Sequence, residues 1–407
     1  MTFTTTPSIV LAQRVQSARP SATKEMTRLA NQMAREGRNV ITLSQGEPDF
    51  PTPLHVRDAA KAAIDRNESR YTDVAGTVAL REAVVRKFER DNGLSFEVDQ
   101  IQVGCGAKQV LYNALQATLD PGDEVVIPTP AWVSYPEMVR LAGGEPVIVR
   151  CSAQSGFKLL PAQLEAAITP RTKWLMLNSP SNPSGAVYSA EELRALAEVL
   201  DRHPHVWIMA DDIYEMIRYD ATPFATPAAV SPQLASRTLT INGVSKAFAM
   251  TGWRVGFGAG PTALIKAMNL IQSQSTSHTS SISQAAAVAA LDGPMDFLPT
   301  FVQAFQRRRD AVVSALNGVA GLRCDVPPGA FYAFPDCREL LGRRDPQGKV
   351  LATDADLAQF ILREVAVAVV PGSAFELPGH FRVSYAASDD QLNDAMTRIA
   401  SACASLR

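Results

Sequence analysis

The feature that most constrains this chain is a series of short, continuously apolar segments that alternate with helix-like segments through its middle. Apolar runs at 101–103, 124–127, 146–149 and 174–177 are each followed by a helix-like stretch, and further apolar runs follow at 206–210, 238–241 and 255–259. Strands that are apolar on both faces are typical of parallel sheets, which helices cover on both sides. The pattern therefore predicts an α/β fold with a mostly parallel sheet flanked by helices.

The pattern changes after residue 292. A long helix-like segment runs to about residue 317, short strand-like segments follow at 331–334, 365–370 and 381–384, and a last helix begins near residue 389. A chain of 407 residues is comfortable for two domains. We expect a large domain at 51–292 and a smaller α+β domain at 293–407, with residues 1–50 forming an N-terminal arm and part of the small domain.

Charge and composition exclude several classes of function. Lys and Arg number 39 and Asp and Glu 41, which leaves a net charge of −2 and no basic surplus to attract nucleic acid or an anionic membrane. No apolar run approaches the roughly 18 residues of a membrane span. The five cysteines are scattered without a CxxC pair, and the histidines lack metal-binding spacing. We expect a soluble, cytoplasmic protein without a metal, nucleic-acid or membrane partner.

The first 24 residues contain Arg14, Arg19 and Lys24 but no acidic residue. A transit peptide has this composition, but the apolar run at 9–12 is too short for the hydrophobic region of a secretory signal. A flexible N-terminal arm is the favoured interpretation.

Polar residues follow the predicted strands where each strand ends. In an open parallel sheet this edge binds ligands. The segments that meet there are a glycine-rich turn at 104–108, an Asn-Pro turn at 178–185, an acid and a phenol at Asp211 and Tyr214, and Ser245 with Lys246. An arginine, Arg254, follows eight residues later. Such a set of groups is what an aromatic aldehyde that carries a phosphate requires.

The string at 245–254, Ser-Lys-Ala-Phe-Ala-Met-Thr-Gly-Trp-Arg, resembles the cofactor-lysine signature of the class I and II aminotransferases, which use pyridoxal 5′-phosphate and have the type I fold. The resemblance runs essentially end to end and includes segments at 20–23, 45–50, 182–185 and 382–385. It is strongest to the prokaryotic aspartate aminotransferase subgroup, which also contains prephenate and aromatic-acid aminotransferases. The resemblance implies a homodimer with shared active sites.

The resemblance implies three catalytic residues. Lys246 would condense with the cofactor aldehyde and then move the proton between the substrate α-carbon and the cofactor, which requires a partly neutral amine. Asp211, rather than its neighbour Asp212, would pair with the ring nitrogen. Tyr214 and Asn182 would donate hydrogen bonds to the phenolic oxygen of the cofactor, although turn chemistry before a proline also explains the asparagine.

The same resemblance implies a phosphate site. A planar guanidinium suits bidentate phosphate binding, and backbone N–H groups at a helix start form an anion site. Many relatives have a serine three residues before the lysine where this chain has Gly243, so Ser245 is the candidate replacement. The cofactor-binding residues expected, beyond the three catalytic ones and Asn182, are Gly106, Ala107, Lys108, Trp132, Ser245, Arg254 and, from the partner subunit, Tyr71.

The substrate site is expected to be built around Arg382, which would bind the α-carboxylate as a bidentate fork. Gly46 would add a backbone group, or would serve only as a turn glycine. Trp132 and Asn182 would line the pocket. Lys108 would recognise the distal acid of a dicarboxylate, or would be a solvent-facing lysine of the first helical turn. Contacts to the substrate side chain are also open to Arg19, Ser21 and Thr23.

The function favoured by the resemblance is transamination by a ping-pong cycle, with aspartate as the donor and 2-oxoglutarate as the acceptor. The alternatives are an aromatic or prephenate aminotransferase, or β-elimination on the same scaffold, because this fold fixes the cofactor more firmly than the reaction. A non-catalytic sensor that binds the cofactor is disfavoured by the lack of fused DNA-binding helices. His278, within the polar stretch 275–280, has no explanation from sequence.

Overall fold

A computed structural model of the chain describes residues 9–18 and 22–407. Its strands are β1 (Ile41–Thr42), β2 (Ile101–Gly104), β3 (Glu124–Thr129), β4 (Glu145–Arg150), β5 (Thr172–Asn178), β6 (Trp207–Asp211), β7 (Thr238–Gly243), β8 (Gly256–Ala259), β9 (Tyr332–Ala333), β10 (Val367–Ala368), β11 (Val370–Pro371) and β12 (Phe381–Ser384). Its helices are α1 (Gln13–Ser17), α2 (Ala22–Arg35), α3 (Leu54–Asp65), α4 (Val78–Asn92), α5 (Ala107–Thr118), α6 (Ser134–Leu141), α7 (Pro161–Ala167), α8 (Ala190–Leu200), α9 (Pro227–Val230), α10 (Pro232–Ala235), α11 (Thr262–Ser273), α12 (Ser281–Asp292), α13 (Leu298–Asn317), α14 (Asp354–Val365) and α15 (Asp389–Ala404).

The central sheet has seven strands in the order β2-β8-β7-β6-β5-β3-β4. Strands β3 to β7 pair in parallel, and β8 runs antiparallel to both of its neighbours. Val125, Val126 and Ile127 in β3 are fully buried, as expected of a strand that is covered on both faces. The predicted α/β fold with a mostly parallel sheet flanked by helices is therefore confirmed.

The sheet reverses its direction of growth between β3 and β5. From β3 the chain adds β4 on one side, then crosses back to add β5, β6 and β7 in turn on the other side. A crevice forms outside the carboxyl ends of the strands at such a switch point, and it is where ligands bind in open α/β sheets. The turns that follow β3 and β5 therefore face a preformed site.

Several helices begin directly after a residue whose side chain accepts a hydrogen bond from one of the first N–H groups of the helix. Ser189 accepts a hydrogen bond from the Glu192 N–H at 3.2 Å, and the Glu192 carboxylate accepts one in return from the Ser189 N–H at 2.8 Å. Thr353 and Ser388 form similar capping boxes before α14 and α15. These caps explain why the helices start where they do.

A second body combines the C-terminal part of the chain with the segment before residue 50. Strands β11, β12 and β9 form an antiparallel sheet, and β1 pairs in parallel with β10. The Ser384 N–H donates to the Leu43 carbonyl at 2.9 Å. The boundaries at 50 and 292 remain predictions.

One local expectation is wrong. The segment at 365–370 was expected to be a single strand, but Val365 is the last residue of α14, and β10 and β11 are two separate strands of two residues each. Ala366 ends the helix with a left-handed backbone, at a φ of 55°. That conformation ends α14 inside the segment expected to be a strand, so strand structure begins only at Val367.

None of the helices in the described part of the chain combines the length and apolar character needed to cross a bilayer. The five cysteines are free thiols, four of them buried and Cys105 half-buried.

Candidate active site

A cavity of about 470 Å³ lies at the carboxyl ends of the parallel strands. The turns after β3, β5, β6 and β7 all contribute to its wall, as the switch-point geometry requires. Most residues expected at the site line it, namely Gly46, Ala107, Lys108, Trp132, Asn182, Asp211, Tyr214, Ser245, Lys246, Arg254 and Arg382. The roles assigned to these residues remain predictions, but the fold does bring them to one place.

Lys246 follows β7 directly and places its amine inside the cavity. Its Nζ donates a hydrogen bond to the Gly46 carbonyl at 2.6 Å. Burial, together with the positive charges of Arg382 and Arg254, lowers the pKa of Lys246 to about 8, against the opposing effects of Glu47 and Asp211. A fraction of this amine is therefore neutral near neutral pH, which is the state that a nucleophile or a base needs.

Asp211 is the last residue of β6 and is almost completely buried. Its Oδ2 accepts a hydrogen bond from the Tyr135 hydroxyl at 2.6 Å, and its Oδ1 accepts one from the Ile213 N–H at 3.4 Å. Desolvation raises its pKa to about 6, although both hydrogen bonds and Lys246 act in the opposite direction. Burial also raises the pKa of Tyr135, so its hydroxyl stays a proton donor. A cationic partner in the cavity would find a carboxylate that is already oriented.

Asp212, the neighbouring acid, lies outside the cavity lining. It is also buried, and desolvation raises its pKa well above the ordinary value. The fold thus separates two adjacent acids, because successive side chains at the end of a strand point to opposite sides.

The turn before α5 brings an arginine against a glycine. Gly106 has a φ of +82°, and a Cβ there would lie 2.9 Å from the Arg254 Cζ, so only glycine fits this close approach. Arg254 also donates to the Thr251 carbonyl at 2.8 Å and to the Cys105 carbonyl at 3.2 Å. Of the two amides expected to bind an anion, that of Gly106 is engaged with the Gly104 carbonyl at 2.7 Å. The Ala107 N–H belongs to the first turn of α5, where helices bind anions.

The glycine at position 243 has a steric explanation. A Cβ on Gly243 would lie 3.0 Å from the Gly256 Cα and 3.0 Å from the Val255 carbonyl oxygen. A serine would therefore press on the neighbouring strand β8. Ser245, the candidate replacement for that serine, is buried and lines the cavity.

Arg382 is buried at the junction of the two bodies. It donates to the Asn182 Oδ1 at 2.8 Å and to the Ser44 carbonyl at 2.5 Å. Its guanidinium also lies over the Tyr332 ring, 4.6 Å from the centroid. Within the described residues its Nε–H has no hydrogen-bond partner, and desolvation lowers the pKa of the group. A buried guanidinium with a spare donor is suited to binding a carboxylate.

Two tyrosines that sequence reasoning missed contact the predicted residues. Tyr135 bonds Asp211, and the Tyr332 hydroxyl lies 2.7 Å from the Tyr214 hydroxyl. A Cβ on Gly46 would collide with that Tyr332 hydroxyl, so Gly46 is required by close packing as well as by its position. The signal for Tyr135 was present, since it lies in the same turn as Trp132, whereas Tyr332 gave no local signal.

Trp132 and Lys108 form one wall of the cavity. The Lys108 Nζ lies over the Trp132 ring, 4.5 Å from its centroid, and donates to the Ser134 Oγ at 3.1 Å. The lysine thus faces the cavity at the first turn of α5. Its contacts favour the functional interpretation over that of a solvent-facing lysine, without testing it.

Some expected residues are not brought to this cavity. Among the residues that the structure describes, Gly106 and Tyr71 lie outside the cavity lining, and Tyr71 is 93% exposed. His278, which has no explanation from sequence, also lies outside it. A role for Tyr71 in the site of its own chain is therefore not supported by the geometry. Arg19, Ser21 and the side chain of Thr23 lie outside the described part of the chain.

Comparisons with known proteins agree on one family. The family model described as aminotransferase class I and II matches residues 38–399. The chain is 56% identical over 392 residues to the aspartate aminotransferase of Rhizobium meliloti strain 1021, which covers 96% of both chains. It is 54% identical to the aspartate/prephenate aminotransferase of Cereibacter sphaeroides, over 97% of this chain and 99% of the relative.

Solved structures give the same result. The crystal structure of the aspartate aminotransferase from Rhizobium meliloti matches with a TM-score of 0.96 at 55% identity, covering 98% of this chain and all of the other. The aspartate aminotransferase from Thermus thermophilus with maleate matches with a TM-score of 0.90 at 42% identity, over 97% of this chain and all of the other.

Proposed function

The chain belongs to the class I and II aminotransferases, and on that premise we propose that it is a pyridoxal-phosphate-dependent transaminase with aspartate as donor and 2-oxoglutarate as acceptor. The observation that carries the proposal is the amine of Lys246, which lies in the cavity with its pKa lowered to about 8. The chain thereby has a nucleophile in the state that condensation with an aldehyde requires.

The residues present fit the proposed cofactor. The cavity is lined by four cationic side chains, Lys108, Lys246, Arg254 and Arg382, and by two acidic ones, Glu47 and Asp211. This surplus of positive charge favours a phosphate and a carboxylate as ligands. Asp211 supplies an acid for the ring nitrogen, the turn before α5 supplies a phosphate cradle, and Trp132 supplies a flat apolar face.

When bound, pyridoxal phosphate supplies an aldehyde that bonds amines and a ring that accepts the electrons left by the departing α-proton. The chain's own residues do the remaining work. The Nζ of Lys246 takes the α-proton from the substrate and returns it at the cofactor. Arg382 binds the substrate α-carboxylate through the N–H groups of its guanidinium, two of which contact Asn182 and Ser44 in the structure. Because it belongs to the second body, binding there favours closure of the cavity and exclusion of water.

The preference for a dicarboxylate is supported by Lys108. A second cation facing the cavity gives the distal acid of aspartate or glutamate a partner that a neutral side chain would not use. The relatives named aspartate aminotransferase and the Thermus thermophilus structure with maleate, a four-carbon dicarboxylate, support the same choice.

We propose prephenate as a second amino-group acceptor. The supporting observation is the similarity to the aspartate/prephenate aminotransferase of Cereibacter sphaeroides. Prephenate also carries two carboxylates, so the same pair, Arg382 and Lys108, would bind it.

We further propose a homodimer with shared sites in a cytoplasmic enzyme. A tyrosine that is 93% exposed suits contact with a second copy, and Tyr71 is then free to reach the partner's phosphate. An odd number of free cysteines suits a reducing compartment.

The test is a panel of amino donors against 2-oxoglutarate and oxaloacetate, scored by kcat/KM, together with the Lys246→Ala variant. We expect aspartate and glutamate to lead, and the variant to fold but lose both turnover and the visible absorption band of the bound cofactor. Lys266→Ala, an exposed lysine of α11, is the matched control. Unchanged turnover in Lys246→Ala would refute the proposal, and release of oxoacid and ammonia without an acceptor would favour β-elimination.

A further inference from the structure

His278 and Tyr71 form a contact outside the cavity of their own chain. Their rings meet edge to face, with centroids 5.6 Å apart and an interplanar angle of 87°. Tyr71 is otherwise exposed, which is unusual for a residue with so much apolar surface. The histidine is therefore a neighbour that can fix the direction in which the tyrosine points.

The two nitrogens of His278 have different partners. Nδ1 lies 2.7 Å from the Thr279 carbonyl, which can only accept, so Nδ1 carries the proton. Nε2 is then the acceptor, and it lies 3.3 Å from the backbone nitrogen of Thr72. That N–H belongs to the peptide bond that joins Tyr71 to Thr72. The ring thus holds the backbone next to the tyrosine as well as its side chain.

A buried glutamine, Gln284, links the segment that follows Tyr71 to the segment that follows His278 through hydrogen bonds. Gln284 donates to the Thr72 hydroxyl at 3.1 Å and to the Thr279 carbonyl at 2.7 Å, and its Oε1 accepts from the Thr77 N–H at 2.7 Å. The Thr279 carbonyl therefore receives both His278 and Gln284. Because buried amides of this kind hold defined geometry, the segments 71–77 and 278–284 form one braced unit.

We propose that His278 is a positioning residue that holds Tyr71 in the orientation needed to reach the cofactor phosphate in a second copy of the chain. This inference rests on the shared-site dimer proposed above. It explains a histidine that the catalytic groups of its own cavity do not use. This role differs from a merely structural one, because a substitution of His278 must change cofactor binding in the site of the other subunit and must do so through Tyr71.

The first test measures the affinity of the cofactor-free protein for pyridoxal phosphate, by absorbance titration. We expect His278→Phe, which keeps a ring but removes both hydrogen bonds, to weaken binding about three- to tenfold. His278→Gln, which can still offer an oxygen to the Thr72 N–H, should recover part of the loss. His205→Phe is the control, since His205 precedes the amino end of β6, at the edge of the sheet opposite the cavity, and its Nε2 lies 3.1 Å from the Thr169 carbonyl.

A double variant separates an effect through Tyr71 from a general loosening. If His278 acts through Tyr71, the pair Tyr71→Phe with His278→Phe should bind cofactor no more weakly than Tyr71→Phe alone. Full additivity of the two losses, or no loss in His278→Phe, would overturn the inference.

The second test uses mixed dimers assembled from differently tagged chains. A dimer of one Lys246→Ala chain and one His278→Phe chain contains one site with an intact lysine and, from the other chain, an intact His278. With pyridoxal phosphate held near the dissociation constant of the wild type, where the weaker cofactor binding of His278→Phe limits activity, we expect half of the wild-type activity from it. If His278 instead serves its own chain, the activity should be half of that of the His278→Phe homodimer.

The matched mixture of Lys246→Ala with Tyr71→Phe separates the inference from its premise. If the mixture of Lys246→Ala with Tyr71→Phe recovers activity but the mixture of Lys246→Ala with His278→Phe does not, the positioning role of His278 is overturned while the shared site stands. Recovery in neither would overturn the shared site, and the role of His278 with it. Recovery in both supports the inference.

Discussion

Removing the hydroxyl of Tyr135 should move the pH at which the cofactor is lost. In Tyr135→Phe the Asp211 carboxylate loses a hydrogen bond of 2.6 Å inside a fully buried site. Desolvation already holds the pKa of Asp211 at about 6, and this hydrogen bond keeps it from rising further. A hydrogen bond to a charged group contributes about 1.5–3 kcal/mol, which corresponds to about one to two pKa units. Asp211 should then ionise at a higher pH in the variant than in its parent.

The direction of the effect follows from which form of the acid the cofactor needs. A protonated ring nitrogen pairs with the carboxylate and not with the carboxylic acid. The affinity for the cofactor should therefore be highest when the pH is above the pKa of Asp211, and it should be lost as the pH falls through that pKa. In the variant the loss should begin about one to two pH units higher.

The assay is the binding of pyridoxamine phosphate between pH 5 and 9, followed by fluorescence or calorimetry. Both proteins carry Lys246→Ala, which removes the lysine titration from the curves. The phosphate of the probe itself titrates near pH 6, but equally in both, so the difference between the curves reports Asp211. Tyr188→Phe is the control, because the Tyr188 hydroxyl is also buried but accepts from the Leu159 N–H at 2.8 Å, away from the acid. Superimposable curves for Tyr135→Phe and its parent would refute the reasoning.

Further predictions concern the substrate and phosphate sites. Arg382→Leu should raise KM about tenfold or more for every amino donor, and an unchanged KM would place the α-carboxylate elsewhere. Lys108→Ala should raise KM for aspartate much more than for phenylalanine, whereas equal losses would remove Lys108 from specificity. Gly106→Ala should weaken cofactor binding and lower the melting temperature, because its Cβ would press on Arg254. Gly93→Ala, at a φ of +64° in open space, is the control for an alanine in a left-handed backbone without a neighbouring side chain.

The sequence predicted that these residues meet in one cavity because parallel strands bring their carboxyl ends to one edge. Asn182, Asp211 and Lys246 lie far apart in the chain, yet each lies at or just after the carboxyl end of a strand of the same sheet, and continuous apolar runs predicted those strands. The chemistry of each turn could then be interpreted residue by residue.

One contact that escaped prediction joins the two bodies. Tyr332 lies in a two-residue strand of the second body and reaches Tyr214 only because the two bodies pack together, which no local pattern encodes. The late start of the strand expected at 365–370 depended on a left-handed Ala366, a conformation that is uncommon for alanine and cannot be predicted from its sequence alone. Tyr71 presents a further limit, since the site in which we propose that it acts belongs to another copy of the chain.

One physical cause, the removal of water, sets the charge of both predicted catalytic groups. Burial lowers the pKa of Lys246 to about 8 and raises that of Asp211 to about 6, because each group loses hydration of its charged form. A cationic ring nitrogen beside Asp211 would stabilise the charged form of the acid, which burial destabilises. Cofactor binding and ionisation of Asp211 must therefore favour each other. No such compensation is needed at Lys246, since the function proposed for it requires the neutral amine. The same desolvated cavity therefore favours the neutral form of Lys246 before the cofactor binds, whereas it favours the ionised form of Asp211 only once the cofactor is bound.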